Sequence, residues 1–274
     1  MSSFTAIALP SEALAAEAAR RLEDLHARGS VALFGLCILA REDGGGLVVA
    51  RPVAPGPIGA ATGILVSAVL GCAGGSPAAP PPGQGQDMIG ALGALAGLGV
   101  GFDFVEECLR ATAPGAFLVL AEIGEHWLSP VDAAIADLGA TPLRHRRSDN
   151  TDQQVRREIE GLDAELRELE QELEQAGGSA GKAVRARAEA ARKKLAASVA
   201  RAEAATRSLR EEADARMAAL LDQLDRAEAE VEARVEAEAR IGQAVARLRA
   251  EAARRLATLE KATALARNAL GSEG

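Results

Sequence analysis

Residues 31–53 read VALFGLCILAREDGGGLVVARPV. The opening run, VALFGLCILAR, is almost wholly apolar, as a strand buried on both faces would be; EDGGG supplies a turn, and LVVARPV resumes as a second strand. This hairpin puts the amino-terminal half in a mixed α+β class. Upstream, FTAIAL (4–9) reads as a short strand, and Pro10-Ser11-Glu12 as a helix entry with Ser11 near the cap. Leu14, Ala18, Leu22 and Leu25 then recur at helical spacing until Gly29 stops the run. Downstream, FDFVEECLRATAPG (102–115) reads as a helix with Phe104, Val105, Cys108 and Leu109 on one face. AFLVLAEI (116–123) follows as a strand, VDAAIADLGA (131–140) as a helix ending at Gly139, and TPLRHR (141–146) as a short closing strand. The order strand, helix, strand, strand, helix, strand predicts a ferredoxin-like (split βαβ) head over residues 1–147.

Residues 56–101 are an insertion in that plan and hold 13 of the chain's 28 glycines. No residue from 58 to 76 is charged, and Gly59, Gly63, Ser67, Gly71 and Gly75 fall at intervals of four. After the proline-rich SPAAPPPGQGQD (76–87), a second apolar stretch (88–102) repeats the interval with Gly93, Gly97 and Gly101. Two helices carrying such ridges can touch backbone to backbone, the small-xxx-small packing of membrane helix pairs. The first arm would rise roughly 28 Å, close to a hydrocarbon core of about 30 Å, and the second only about 22 Å. Arg51 and Arg110 flank the head side and Asp87 the far loop. The expectation is therefore a Gly-rich helical hairpin that packs or anchors through these residues, with the bilayer as a partner and the head on the cytoplasmic side. The alternative is a soluble Gly/Ala hairpin buried in an oligomer.

The order of the head, the EDGGG turn, the hairpin IGAATGILVSAVLG (58–71) with IGALGALAGLGVG (89–101), and the segment FDFVEECLRATAPGAFLVLAEI (102–123) together resemble a bacterial family called domain of unknown function 1269. The likeness covers residues 4–147, and its most specific parts are the hairpin position and the helix-Pro-Gly-strand run through Pro114 and Gly115. That family is described as uncharacterised membrane proteins, so the resemblance implies membrane association; it brings no catalytic residues. The proline-rich hairpin tip and the helical tail are departures from it.

Beyond residue 143 the composition changes: all 11 prolines, all five Phe, the single Trp and all three Cys precede it. After a linker (148–154), Val155, Ile159, Leu162, Leu166, Leu169 and Leu173 alternate spacings of four and three, a coiled-coil seam over 155–175 with charged flanks. AGGSAG (176–181) reads as a glycine hinge, followed by one long Ala-rich helix from 182 to 270. Its apolar stripe is sparse, with Val184, Leu195, Leu209, Leu220 and Val231 at mostly eleven-residue intervals, improving through Leu209, Leu220, Leu224 and Val231 onward. An isolated helix would leave that stripe wet, so a partner is expected, either the 155–175 helix folded back or, preferentially, a second copy of the chain.

The net charge of −8 is spread over interspersed charges, with no basic patch to neutralise phosphates and few aromatics on which bases could stack, which argues against nucleic acid as a partner. Cys37, Cys72 and Cys108 form an odd set without C-x-x-C spacing, read as buried thiols. His26, His126 and His145 are isolated and have no metal-ligand spacing. Gly97, Gly99 and Gly101 make a GxGxG without a preceding strand, and Gly44-Gly45-Gly46 lacks a following Lys-Ser/Thr, so a packing role and a hairpin turn are the readings. The basic run from Lys182 to Arg210 reads as solvated flanks, or else as a face for an anionic surface. The start, MSSFTAIALP, has no secretory pattern, giving an expected location in the cytoplasm or at the cytoplasmic face of the inner membrane. The resulting expectation is a non-enzymatic scaffold, without cofactor or metal, that self-assembles through its coiled-coil tail and is anchored or capped by its hairpin. The alternatives are a soluble small-molecule sensor relaying its state through the tail, and a protein coating lipid or polymer granules.

Overall fold

The long apolar runs of the first half form a five-stranded antiparallel sheet. The computed structural model describes residues 2–74, 88–125, 129–148, 151–175, 178–226 and 231–271. Gly75, the 76–87 tip, His126 and part of the expected 176–181 hinge lie outside the described residues. The sheet contains β1 (Ser2–Leu9), β2 (Ala32–Arg41), β3 (Leu47–Arg51), β4 (Phe117–Gly124) and β5 (Leu143–Arg146), in the order β3-β2-β4-β1-β5. Between β1 and β2 lies α1 (Glu12–Ala27), whose first turn is closed by Ser11 Oγ accepting from the Leu14 amide at 3.3 Å. Between β3 and β4 come α2 (Ala60–Cys72), α3 (Met88–Gly97) and α4 (Phe102–Ala111), and between β4 and β5 α5 (Ser129–Ile135).

Strand β4 inserts between β1 and β2, pairing with both, and β1 inserts between β4 and β5. Each strand–helix–strand crossover is thus split by a strand of the other. The crossover helices are α1 and α5. The order read from the sequence took β3 as a core strand and α4 as the second crossover helix; β3 is instead an edge strand, and α4 belongs with α2 and α3. Burial explains the exchange: six consecutive residues of β4 are buried, as a central strand requires, whereas Leu47 alone is buried in β3.

Both sheet faces are covered. Ile7, Leu9, Leu36, Ile38, Val119, Ala121 and Ile123 pack under α1 and α5. Phe4, Cys37, Leu39, Leu118 and Leu120 pack under α2, α3 and α4, with Leu65, Val69, Leu95, Val100 and Val105 in the same cluster. The apolar hairpin is therefore core. α2 has 13 residues and α3 has 10, roughly 20 Å and 15 Å against the ~30 Å of a hydrocarbon core, and no described helix is long and apolar enough to cross a membrane. α2 packs on the sheet, on α3 and on α4, which accounts for its apolar residues.

The second half forms three helices, α6 (Thr151–Gln175), α7 (Gly178–Arg226) and α8 (Val231–Gly271). The single helix expected over 182–270 is thus two. The chain divides into two compact units, the first comprising 1–149 with 214–246 and the second 150–213 with 247–274. In the second unit, Glu158 meets Ser198 and Arg201, while Glu170 meets Arg192 and Glu172 meets Arg187, so α6 and α7 run antiparallel. Glu203–Arg267 and Arg210–Glu260 likewise set α8 antiparallel to α7. Val155, Ile159, Leu162, Leu166 and Leu169 share one core with Val184, Leu195 and Leu209 of α7 and Leu259, Ala262 and Ala266 of α8, with Leu173 at its margin. The seam expected to receive a second copy is covered by the chain's own helices, because folding back buries the stripe that one continuous helix would leave wet.

Candidate functional site

A carboxylate buried in the first unit organises the polar chemistry of the head. Glu122 lies on β4 after Leu118 and Leu120 and, with their alternation, faces the side covered by α2 to α4. Its neighbours across the sheet are Phe4 of β1 and Gly35 of β2. Gly35 is required by the helix above: a Cβ there would collide with Thr62 Oγ1 and lie 2.8 Å from Thr62 Cβ and 3.5 Å from Gly59 Cα. A register shift between Leu33 and Gly35 sets this strand end.

Three donors converge on Glu122 Oε1: Ser2 Oγ at 2.7 Å, Arg147 Nη1 at 2.9 Å and Arg216 Nη2 at 2.5 Å. Glu122 is fully buried, Arg147 is 8% exposed and Arg216 7%. The guanidinium of Arg216 also lies 4.4 Å from the centre of the Phe34 ring, so it is held by charge, hydrogen bond and ring face together. Removing three such charges from water is costly, and their mutual pairing helps to offset it. About two turns further along α7, Gln223, 3% exposed, donates from Nε2 to His26 O at 2.7 Å and Val31 O at 2.9 Å, beside the His26 ring. A carbonyl of the last turn of α1 and one just before β2 thus both accept from α7. His26 Nδ1 accepts the Leu33 amide at 3.2 Å.

A second group ties β5 to the head: Arg144 donates to Glu125 at 3.0 Å and to Asp132 at 2.7 Å. Burial pushes the Glu125 carboxyl above its ordinary range, against the pull of Arg144. His145 makes a 3.0 Å hydrogen bond with Gly99 O and rests 5.2 Å from the Phe104 ring. Gly99 has φ +73° and its backbone abuts Ser148, so Gly97, Gly99 and Gly101 end α3 and enter α4 as a packing turn. Gly45, at φ +88°, turns the β2–β3 hairpin. Cys37 and Cys108 are core thiols pushed up to about 12 by burial, and half-buried Cys72 is raised for the same reason.

The small-residue ridges are distributed unevenly. Gly59 is buried against Val53 and Ala54, and Ser67 turns inward to donate to Gly63 O at 2.9 Å. Gly71 is half-buried and Gly97 buried, but Gly93 is exposed with nothing within 4 Å of a Cβ, and Gly101 caps α4 outside any helix. One close approach in this region is of α2 to strand β2 at Gly35. Of the residues read as mediating association, Val155 to Leu169 and Leu209 are in the three-helix core, Leu220 and Leu224 are in the first unit, and the Val231 side chain lies outside those described. In the basic run, Arg187, Arg192, Arg201 and Arg210 are paired with acidic residues of α6 and α8. Glu122, Arg216 and Gln223 were not singled out from sequence; the signal was a lone acid at an inward position of an otherwise apolar strand. No family model, curated protein or solved structure matches the chain.

Proposed function

We propose that the chain is a non-enzymatic scaffold in which an α+β head of ferredoxin-like, split βαβ plan is joined to an antiparallel coiled-coil unit. The interleaved order β5-β1-β4-β2 supports the first part of this reading, and the four-three seam with its cross-helix ion pairs the second. The observation that carries the function is how the polar groups are used: Glu122 and its arginines join β1, β4, the exit of β5 and α7, and are engaged in holding elements together. With the seam residues covered within one chain, the assembling unit is the single chain of 28.2 kDa. Light scattering across a hundredfold range of concentration tests this, with that mass expected throughout; a constant multiple of it, abolished by Leu166→Asp with the head still folded, would instead put the α6 seam between copies.

A second reading, in which the head relays its state into the helices, is favoured by one feature. α7 contributes Gly178–Ala213 to the second unit and continues without a break into the Glu122 cluster through Arg216. A ligand of the head that shifts amide exchange in 178–213 would support it; a screen in which no stabilising ligand alters that exchange would count against it.

A further inference from the structure

Helix α8 buries one side in the three-helix core through Leu259, Ala262 and Ala266. On the opposite side, Arg247, Ala250, Arg254, Ala257, Lys261 and Ala264 follow one another at spacings of three and four. They form a second seam, cation and alanine in turn. All six are exposed, and all lie within the second unit. Cations on the flanks of α8 are engaged, Arg255 with Asp152 and Arg267 with Glu203. Arg247, Arg254 and Lys261, seven residues apart, make no ion pair among the described residues, and neither does Glu251, the acid one turn from the first two.

We infer that this outward seam of α8 is a docking ridge for an acidic helix of a partner protein, one whose Glu or Asp residues recur every seven positions. Charge and period both select that occupant: three cations at steps of about 10.5 Å are met in register by carboxylates on a helix lying alongside. The alanines between them let that helix approach to the short end of the usual 8–10 Å interaxial range. The Arg and Lys stems then cross the gap, and their heads reach the acids on its flanks. A bilayer is a poorer occupant, because the seam offers no apolar side chain larger than alanine to enter the headgroup layer. Duplex nucleic acid is poorer too, since three cations along about 21 Å would face roughly one phosphate charge per 1.7 Å. Such a ridge serves a scaffold or a relay alike and depends on neither reading.

The test uses the full chain and a fluorescent helical peptide three heptads long, with Glu and Ala alternating at the same three-four spacing, at about 0.1 M salt. Anisotropy should show saturable binding, roughly tenfold tighter than that of a peptide of the same composition in shuffled order. Arg254→Glu with Lys261→Glu should weaken binding roughly tenfold, and this chain should instead prefer a peptide carrying Lys in place of Glu. Arg185→Glu with Lys193→Glu, on exposed positions of α7, changes the net charge equally and should leave binding as in the parent. Far-ultraviolet circular dichroism of both double variants should match the parent, because all four side chains are exposed. Equal binding of patterned and shuffled peptides, equal loss in the two double variants, or no binding at all would overturn the ridge. Tighter binding to anionic phospholipid vesicles or to duplex DNA than to the patterned peptide would overturn it equally.

Discussion

Gly35 and Gly93 look alike in the sequence and should respond oppositely to the same change. A methyl at Gly35 meets Thr62 on a helix that cannot retreat from the sheet, so Gly35→Ala should cost roughly 1–3 kcal/mol. Gly93 sits in α3 with open space around it, and Gly93→Ala should be neutral or stabilise by up to about 1 kcal/mol. Urea midpoints of the two variants decide this; a destabilised Gly93→Ala would place a close contact at Gly93 itself. Glu122→Ala leaves two buried guanidiniums without their carboxylate and should cost about 3–5 kcal/mol, far more than exposed-pair variants such as Glu106→Ala. Glu125 gives the fold a pH dependence of unusual sign. Because burial raises its folded pKa above the ordinary value of 4.5, the folded state keeps a proton that the unfolded chain has lost. Stability from this group therefore falls as pH rises from that value through the raised one, and Glu125→Gln should flatten the slope. Chemical denaturation at closely spaced pH values reads it, and an unchanged slope would remove Glu125 as its source.

The elements themselves were largely legible. Ser11, the EDGGG turn and Gly139 marked boundaries close to those seen, because caps and turns are set by local chemistry. Partnership between strands was not legible, since it depends on which apolar run is buried on both faces, and β2 and β4 compete for the centre with similar composition. The uncharged stretch 58–76 left two readings open for a related reason: a helix packed on several sides has the same sequence as one in lipid, and length is what separates a spanning helix from it. The break between α7 and α8 had no Pro or Gly to announce it; tertiary burial decided against propensity. Deleting residues 56–101 uncovers Phe4, Leu39, Leu118 and Leu120, so the shortened protein should aggregate, and sedimentation after expression should find it in the pellet while the parent remains in the supernatant. Of the three thiols, half-buried Cys72 should react with an aromatic disulfide reagent in the native state, and Cys37 and Cys108 only after unfolding.

For the molecule as a whole, α7 contributes residues to both compact units, so the units are expected to share one unfolding transition although each has its own core. Ile159→Ala, in the core of the helical unit, should lower stability by about 2–5 kcal/mol and shift far-ultraviolet and thiol-exposure transitions together. Separate midpoints for the two probes would show that the continuous helix does not couple them. Order of synthesis adds a further consequence. Glu122 meets Arg216 across 94 positions of sequence, an interval a ribosome needs roughly 5–20 s to cover. Throughout that interval the nascent head presents an uncovered Phe34 ring beside an acid that still lacks one of its three donors, so the amino-terminal part must wait for its own later helix before that ring is covered.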